Sequence, residues 1–240
     1  MVINPGWFVA GGVSAASGMF AWGAVAPSSQ LFGRTRLRLN DSSAMAITFD
    51  DGPNPTVTPK LLELLDRHKI TATFFLIGKH VRATPVLANE IVERGHAIGN
   101  HTETHPSLAF LSSEKIEDEL KRCDHAIQSA TQKKPMWMRP PYGYRSPLLD
   151  GIVRRRGGAG VAMWRVSAAD WKTTSPEVVI RGLERARGGD IVLLHDGDHR
   201  RLEGDRQHVL RALEYWLPRW KDAGMRFANL DETNYNLKAD

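Results

Sequence analysis

Short apolar runs of the kind that favours strands alternate with segments of helical period along most of the chain beyond Asn40. There are seven such runs: Ala44–Phe49, Ala72–Ile77, Ala97–Gly99, Met136–Met138, Val161–Val166, Ile191–Leu194 and Arg226–Leu230. This alternation predicts strands joined by helices, and therefore a parallel sheet with right-handed crossovers. Seven units within roughly 200 residues favour a βα barrel over an open sheet. The sequence therefore predicts a single α/β domain with its polar site at the carboxyl ends of the strands.

The starts of several helices are marked by a hydroxyl residue followed by proline. The pairs are Thr58-Pro59, Thr84-Pro85, Ser146-Pro147 and Ser175-Pro176. Serine and threonine cap helix N-termini, and proline is favoured at the first helical position. We expect each hydroxyl to cap the helix that follows it.

Composition excludes several classes of protein. The chain has 240 residues, of which 42% are apolar and 25% charged, so disordered, collagen-like, coiled-coil and multi-span membrane chains are excluded. Cys123 is the single cysteine, so no intramolecular disulfide can form. The net charge of +5 is spread over short arginine groups, with no basic run interleaved with aromatic residues. We expect a monomer without a nucleic-acid partner.

Residues 1–40 are predicted to form an N-terminal segment ahead of a catalytic domain at 41–240. No charged residue occurs from Gly6 to Ala26, a stretch long enough to span a bilayer. Its glycine, alanine and serine content makes it weakly hydrophobic, and no basic residue precedes it as in a signal peptide. Three interpretations remain open: a membrane anchor, a helix packed on the domain surface, or an uncleaved start.

Polar residues follow two of the predicted strands. Asp50 and Asp51 come directly after the first run, and His101 and His105 follow the third. Two carboxylates at a strand end are also typical of an Asp-Gly turn, so the first pair alone is a weak indication. Two histidines four residues apart suit one metal ion. Pro106 disfavours a helix at His105, so this pair is expected on a loop.

The later strands end in polar residues too. Arg139 and Tyr142 follow the fourth run, Asp170 and Trp171 the fifth, and His195 the sixth. Five of the seven strand ends therefore carry candidate polar groups, all on the face where a βα barrel builds its active site. Their joint placement indicates an enzyme.

These five segments resemble the polysaccharide deacetylases, the NodB-homology domain of carbohydrate esterase family four. The resemblance covers Ala44 to Leu230, and its most specific motifs are Thr-Phe-Asp-Asp-Gly-Pro and His-Thr-x-x-His. It implies a deformed (β/α)7 barrel and hydrolysis of an acetyl group from an amino sugar or a sugar hydroxyl. It also implies one divalent metal ion, commonly zinc, with cobalt, nickel or manganese as alternatives.

The resemblance assigns a role to each residue of the first motifs. Asp50 matches the general base, and Asp51, His101 and His105 match the metal ligands. Arg139 matches the arginine that pairs with the base. Two imidazoles and one carboxylate leave coordination positions open, which is typical of a catalytic zinc site.

The later motifs are assigned in the same way. His195 matches the general acid and Asp170 the carboxylate that orients it. Tyr142 matches the residue whose backbone N–H helps to form an oxyanion hole. Trp171 and Leu194 match the walls of the acetyl pocket. A protonated His195 suits an amine leaving group, and a neighbouring carboxylate would raise its pKa.

We expect a cell-envelope hydrolase that removes acetyl groups from N-acetylated amino sugars of peptidoglycan or a chitin-like polymer. An O-acetyl esterase or a deformylase on the same scaffold is the first alternative. A catalytically silent carbohydrate-binding domain is the second, and it would have no use for both Asp50 and His195.

Two histidines outside the motifs have different expectations. The charged loop from Gly197 to Asp205 departs from the family pattern, and its His199 could fold over the site. His208 lies on a predicted helix, where it is expected to be exposed.

Overall fold

The computed structural model describes residues 17–232, which contain nine strands. They are β1 (Thr35–Arg36), β2 (Ala44–Gly52), β3 (Thr73–Leu76), β4 (Ala97–Asn100), β5 (Trp137–Met138), β6 (Gly160–Ala162), β7 (Val166–Ser167), β8 (Ile191–His195) and β9 (Arg226–Phe227). The paired strands are parallel, in the order β1-β6-β5-β4-β3-β2-β8-β7, and β9 pairs with β2. Parallel pairing requires crossover connections, which the helices supply.

Residues 17–25 form the first described helix, α1. The others are α2 (Thr58–His68), α3 (Gly78–Ala83), α4 (Pro85–Glu93), α5 (Ser113–Thr131), α6 (Leu149–Arg155), α7 (Pro176–Leu183) and α8 (Gln207–Asp222). Short 3₁₀ turns at Pro141–Gly143 and Asp170–Lys172 follow β5 and β7.

The sheet curls into an incomplete barrel. β6 lies near one end of the strand order and β7 at the other, yet only residues 163–165 separate them. Four chain steps span at most about 14 Å, so the two ends of the sheet must face each other. The deformed (β/α)7 barrel predicted from the sequence is confirmed. The prediction of one strand over Val161–Val166 is wrong. The structure divides this run between β6 and β7, and residues 163–165 cross the gap, or seam, between the two ends of the sheet.

The seam between β6 and β8 is bridged by residues 35–39. β1 pairs with β6, and the Met163 N–H donates to the Arg36 carbonyl at 2.7 Å. The Ile191 N–H, at the start of β8, donates to the Leu37 carbonyl at 3.3 Å. Part of the segment predicted as N-terminal to the domain therefore supplies hydrogen bonds to the barrel itself.

Apolar side chains pack on both faces of the sheet. β2 is buried along its whole length, because helices cover its outer face and the barrel interior covers its inner face. Met45, Ile47 and Phe49 belong to the larger cluster, between sheet and helices. Ala44 and Ala46 belong to a smaller cluster with Phe75, Trp137 and Ala162, to which β2, β3, β5, β6 and β8 contribute side chains. The small alanines on this face leave room for bulky neighbours.

The expectation for the four hydroxyl-proline pairs holds at one of them. Ser175 caps α7 by accepting from the Val178 N–H at 3.4 Å. The Thr58 hydroxyl instead donates to the buried Asp196 carboxylate, and that of Thr84 donates to the His80 carbonyl at 2.9 Å. The Ser146 hydroxyl accepts from the Leu148 N–H at 3.2 Å, and α6 begins one residue later. Nearby acceptors and turns outweigh the local capping signal at these three positions.

The end of α1 is tied to the barrel by Arg145. This side chain is 1% exposed and donates to the carbonyls of Gly23, Ala26 and Ser29 at 2.9, 2.6 and 2.8 Å. Its own N–H donates to the Ala24 carbonyl at 2.9 Å. These contacts attach the end of α1 to the domain, whereas residues 6–16 lie outside the described part, so the interpretation of residues 6–26 stays a prediction. Among residues 17–232, no helix combines the length and apolar character needed to cross a bilayer.

Replacing Arg145 should loosen this attachment. Arg145→Met keeps most of the side-chain volume but leaves three carbonyls without their donor, so we expect unfolding free energy to fall by about 3 kcal/mol. Urea unfolding measures this, and limited proteolysis should show faster cleavage near residues 17–34. Arg154→Met, at an exposed position on α6, is the matched control and should change neither. Equal stability of the two variants would contradict the assignment.

Candidate active site

Nine of the ten sequence-predicted residues come together at the carboxyl ends of the strands. Asp50, on β2, is in register with His195 on β8, so the two project from neighbouring strands at the same level. The cluster consists of Asp50, Asp51, His101, His105, Arg139, Tyr142, Asp170, Trp171 and His195. The tenth residue, Leu194, packs elsewhere.

Asp51, His101 and His105 form a candidate metal site. Oδ1 of Asp51 lies 3.4 Å from Nε2 of His101 and 3.2 Å from Nε2 of His105. These separations match the edge of a tetrahedron with ligand bonds of about 2.0–2.1 Å. All three residues are buried, and Oδ1 has no hydrogen-bond donor among the described residues. A buried carboxylate oxygen between two imidazoles fits a divalent cation.

The protonation of these groups suits metal binding. Nδ1 of His101 lies 2.7 Å from the Arg139 carbonyl, which requires a donor there and leaves the Nε2 lone pair for a cation. Burial lowers the pKa of His105 to about 4, so this ring is neutral at pH 7. A carboxylate and neutral imidazoles are the required ligand forms.

The site is built on strained turns. Seven non-glycine residues of the described chain have positive φ, and two of them, Lys69 and Gln132, end helices. The other five surround the site: Asp51, Thr102, His105, Tyr142 and Ala169. Such a conformation costs about 1–3 kcal/mol for a residue with a side chain, so it persists only where surrounding contacts enforce it.

The loop that carries both histidines is held from α5 and β4. The Glu119 carboxylate accepts from the N–H groups of Glu103 and Thr104 at 2.9 and 2.8 Å. The Asn100 side chain accepts from the Thr102 N–H at 2.8 Å. The role of Glu119 could not be predicted from the sequence, since an acidic residue on an amphipathic helix usually lies on its solvent-exposed face.

Arg139 holds Asp50 from inside the barrel. The guanidinium is fully buried and donates to Oδ1 of Asp50 at 2.8 Å and to the Thr48 hydroxyl at 2.7 Å. Oδ2 of Asp50 lies 3.8 Å from Nε2 of His101, at the metal site. One oxygen of Asp50 is thus held by Arg139, and the other faces the candidate metal site.

Asp170 orients His195 through two groups. Its carboxylate accepts from the His195 backbone N–H at 2.8 Å and lies 3.1 Å from Nδ1 of the ring. Behind it, Nε2 of His208 lies 3.0 Å from the Asp170 carbonyl. The expectation that His208 is exposed is wrong, because this face of α8 packs against the 3₁₀ turn that carries Asp170.

Electrostatics favours the charged form of His195. Burial of the ring favours the neutral form, but the Asp170 carboxylate outweighs it, and the pKa of His195 rises to about 9. The carboxylates of Asp51 and Asp50 act in the same direction. The ring is therefore protonated at neutral pH, ready to give up a proton.

Aromatic rings form the rim of the site. The Tyr142 ring packs edge-on against His105, with centroids 4.7 Å apart, and Trp171 packs against His195 at 5.2 Å. Leu194 is fully buried in the cluster between sheet and helices. Side chains alternate along a strand, so Leu193 rather than Leu194 shares the His195 face. Leu194 therefore lies on the opposite face of β8 from the one predicted, and Leu193 is the leucine on the side of the candidate site.

Comparison with known proteins identifies the family. Residues 39–159 match the family Polysaccharide deacetylase. A peptidoglycan-N-acetylglucosamine deacetylase of Bacillus cereus is 37% identical over 195 residues, covering 80% of this chain and 89% of the relative. A chitooligosaccharide deacetylase of a Bradyrhizobium species is 35% identical over 202 residues, covering 81% and 92%.

The chain belongs to the polysaccharide deacetylase family. The solved structure of a family-four carbohydrate esterase pseudoenzyme from Bacillus anthracis is also similar, with a TM-score of 0.72 and 30% identity over 82% of this chain and 67% of that one. Fold alone therefore does not distinguish active from inactive members, and the site residues carry that argument.

Removing the Asp170 charge from this deacetylase should lower the pKa of His195. Without the neighbouring anion the imidazolium is less stable, so the basic limb of the kcat/KM profile should move to lower pH in Asp170→Asn, by about 1–3 pH units. A pH–rate profile against the parent enzyme measures the shift. The control is Asp118→Asn, which neutralises an exposed carboxylate on α5. An unshifted limb with activity intact would show that Asp170 does not act on His195.

Proposed function

We propose that this deacetylase hydrolyses the acetamide of N-acetylglucosamine residues in peptidoglycan or a chitin-like polymer. The observation that carries the proposal is the candidate metal site with Asp50 and His195 beside it, at one end of the barrel. The Bacillus cereus relative is named for N-acetylglucosamine in peptidoglycan and the Bradyrhizobium relative for chitooligosaccharides, which supports these two polymer classes as substrates.

The donor set supports zinc as the resident cation. Two neutral imidazoles and one carboxylate are the ligands of many catalytic zinc sites, and their separations fit tetrahedral geometry. Cobalt, nickel and manganese accept the same donors, so these metals are also compatible. When bound, the cation supplies Lewis-acid polarisation of the amide carbonyl.

Asp50 acts as the general base. Arg139 fixes one carboxylate oxygen by a charge-assisted hydrogen bond, and the second oxygen accepts the proton of the attacking water. Asp51 has a different role, because its Oδ1 lies between the two imidazoles. Asp50 is thus the base and Asp51 the metal ligand. The positive φ of Asp51 turns the backbone, so that the two adjacent carboxylates take different positions.

His195 acts as the general acid. An amine leaves only after protonation, and the Asp170 carboxylate keeps the imidazole charged and oriented for that transfer. An ester needs this assistance less, since an alkoxide leaves more readily than an amide anion. A cationic His195 therefore favours an amide substrate over an O-acetyl ester.

The acetyl group and the sugar contact the rim. Trp171, half-exposed beside His195, and Leu193, on the same strand face, are the proposed apolar walls. The backbone N–H of Tyr142 is the proposed oxyanion donor, held by a turn in which the Gly143 N–H donates to the Pro140 carbonyl at 2.9 Å.

A cell-envelope location follows from the proposed substrate. Met19, Phe20, Trp22 and Val25 on α1 are exposed apolar side chains, which supports membrane contact through residues 6–26. Exposed Arg34 and Arg38 follow this helix and would favour anionic headgroups.

Acetate release from defined polymers tests the proposal. With zinc present, we expect the parent enzyme to release acetate from chitin oligomers or peptidoglycan and far less from acetylxylan. Asp50→Asn keeps every metal ligand but removes the base, so its kcat should fall by about 10²–10⁴-fold with metal content unchanged.

The outcomes separate the alternatives. Release from acetylxylan alone would make the protein an O-acetyl esterase, and release of formate from N-formyl sugars alone would make it a deformylase. Near-normal turnover by Asp50→Asn would require the roles of Asp50 and Asp51 to be reassigned.

A further inference from the structure

The loop after β8, residues 197–206, has a defined shape that projects it over the site. The Arg200 N–H donates to Oδ1 of Asp198 at 2.8 Å, and that of Arg201 to the Asp198 carbonyl at 3.1 Å. Arg206 donates to the Gly197 carbonyl at 2.8 Å, which joins the two ends of the loop. These bonds fix the turn at its base and leave His199 at its projecting part.

Two other elements anchor the loop to the barrel. Nζ of Lys79, on α3, donates to the His199 carbonyl at 2.7 Å. The Asn54 side chain donates to the Gly204 carbonyl at 2.7 Å. The loop is thus attached at His199 itself and at Gly204, which fixes the backbone from which this imidazole projects.

The His199 ring lies directly against the candidate metal site. It stacks on His105 with centroids 4.3 Å apart and an interplanar angle of 18°. Its Nδ1 lies 3.6 Å from Oδ2 of Asp51, the oxygen that faces away from the contacts with His101 and His105. The two sides of the Asp51 carboxylate therefore meet imidazoles from two different loops.

Tyr142 faces the other side of the His199 ring. Its hydroxyl lies 3.3 Å from Nε2 of His199. When the ring carries its proton on Nδ1, Nε2 accepts from this hydroxyl and the Nδ1–H is directed at Oδ2 of Asp51. The Tyr142 hydroxyl thereby fixes the tautomer of His199, and His199 in turn holds the orientation of the Asp51 carboxylate, as supporting groups do at metal sites.

We propose that His199 supports the metal site from the solvent side by holding Oδ2 of Asp51, and that it thereby tightens binding of the divalent cation. The inference rests on the proposed metal site at Asp51, His101 and His105 and adds to it a residue from the loop that departs from the family pattern. His199 acts through the Asp51 carboxylate, and Lys79 positions the backbone of the loop that carries His199.

Metal affinity measured on the full chain tests this inference without any assay of turnover. Metal-free protein is titrated with Zn²⁺, and separately with Co²⁺, in competition with a chromophoric chelator of known affinity. We expect His199→Ala to bind either metal about 10–100-fold more weakly than the parent, the loss typical of removing a supporting group at a metal site. The visible Co²⁺ spectrum should change as well, because the surroundings of the ion change.

Two variants calibrate the measurement. His125→Ala removes an exposed histidine on α5 and should bind metal like the parent. His101→Ala should lose binding almost completely, which sets the scale. Lys79→Met removes the anchor but keeps the His199 ring, so it should weaken binding by less than His199→Ala does.

The possible results are distinct. Parent-like affinity and Co²⁺ spectrum in a folded His199→Ala protein would overturn the inference while leaving the three-ligand site intact. If His199→Ala did not fold, Lys79→Met would decide, and parent-like affinity there would overturn it. Failure of the parent itself to bind one equivalent of metal would overturn both the inference and the proposed metal site.

Discussion

The buried guanidinium of Arg139 is the interaction on which the rest of the structure depends. It crosses from β5 to β2, where it donates to Thr48 and Asp50, and it donates to the carbonyls of Ala162 and Met163 at 3.2 and 3.0 Å. An unpaired charge in this position would cost several kcal/mol, so all of these acceptors are needed. Burial lowers the pKa of Arg139, and the Asp50 carboxylate opposes this. The same contacts join three strands and orient the proposed base.

Strain and support are balanced around this centre. Asp51 and His105 hold left-handed backbone conformations that bring a carboxylate and an imidazole to one point. Glu119 supports the second of these turns through the N–H groups of its loop. Energy stored in the turns is offset by hydrogen bonds to residues that touch neither metal nor substrate. The geometry of the site is therefore set by contacts with α5 and with the barrel interior as well as by its own loops.

The sequence was sufficient for the fold class and for the cluster of polar residues, because strand ends in a βα barrel converge on one face whatever the details. It failed where the answer depends on packing. The run Val161–Val166 is apolar except for Arg165, and one charged residue does not mark the point at which the chain leaves β6 and crosses to β7. Leu193 and Leu194 are identical residues, and only the alternation of side chains along β8 shows that Leu193 lies on the same face as His195. Nothing in the sequence around His208 indicates burial, which arises only from the packing of α8 against the turn that carries Asp170.

The proposed function places a divalent cation at the point between Asp51, His101 and His105. Anomalous diffraction from crystals grown with zinc, recorded on both sides of the zinc absorption edge, tests it most directly. We expect one strong anomalous peak at about 2.0–2.2 Å from Oδ1 of Asp51 and from Nε2 of both histidines. A fully occupied zinc peak on other residues, or none at this point despite saturating zinc, would contradict it.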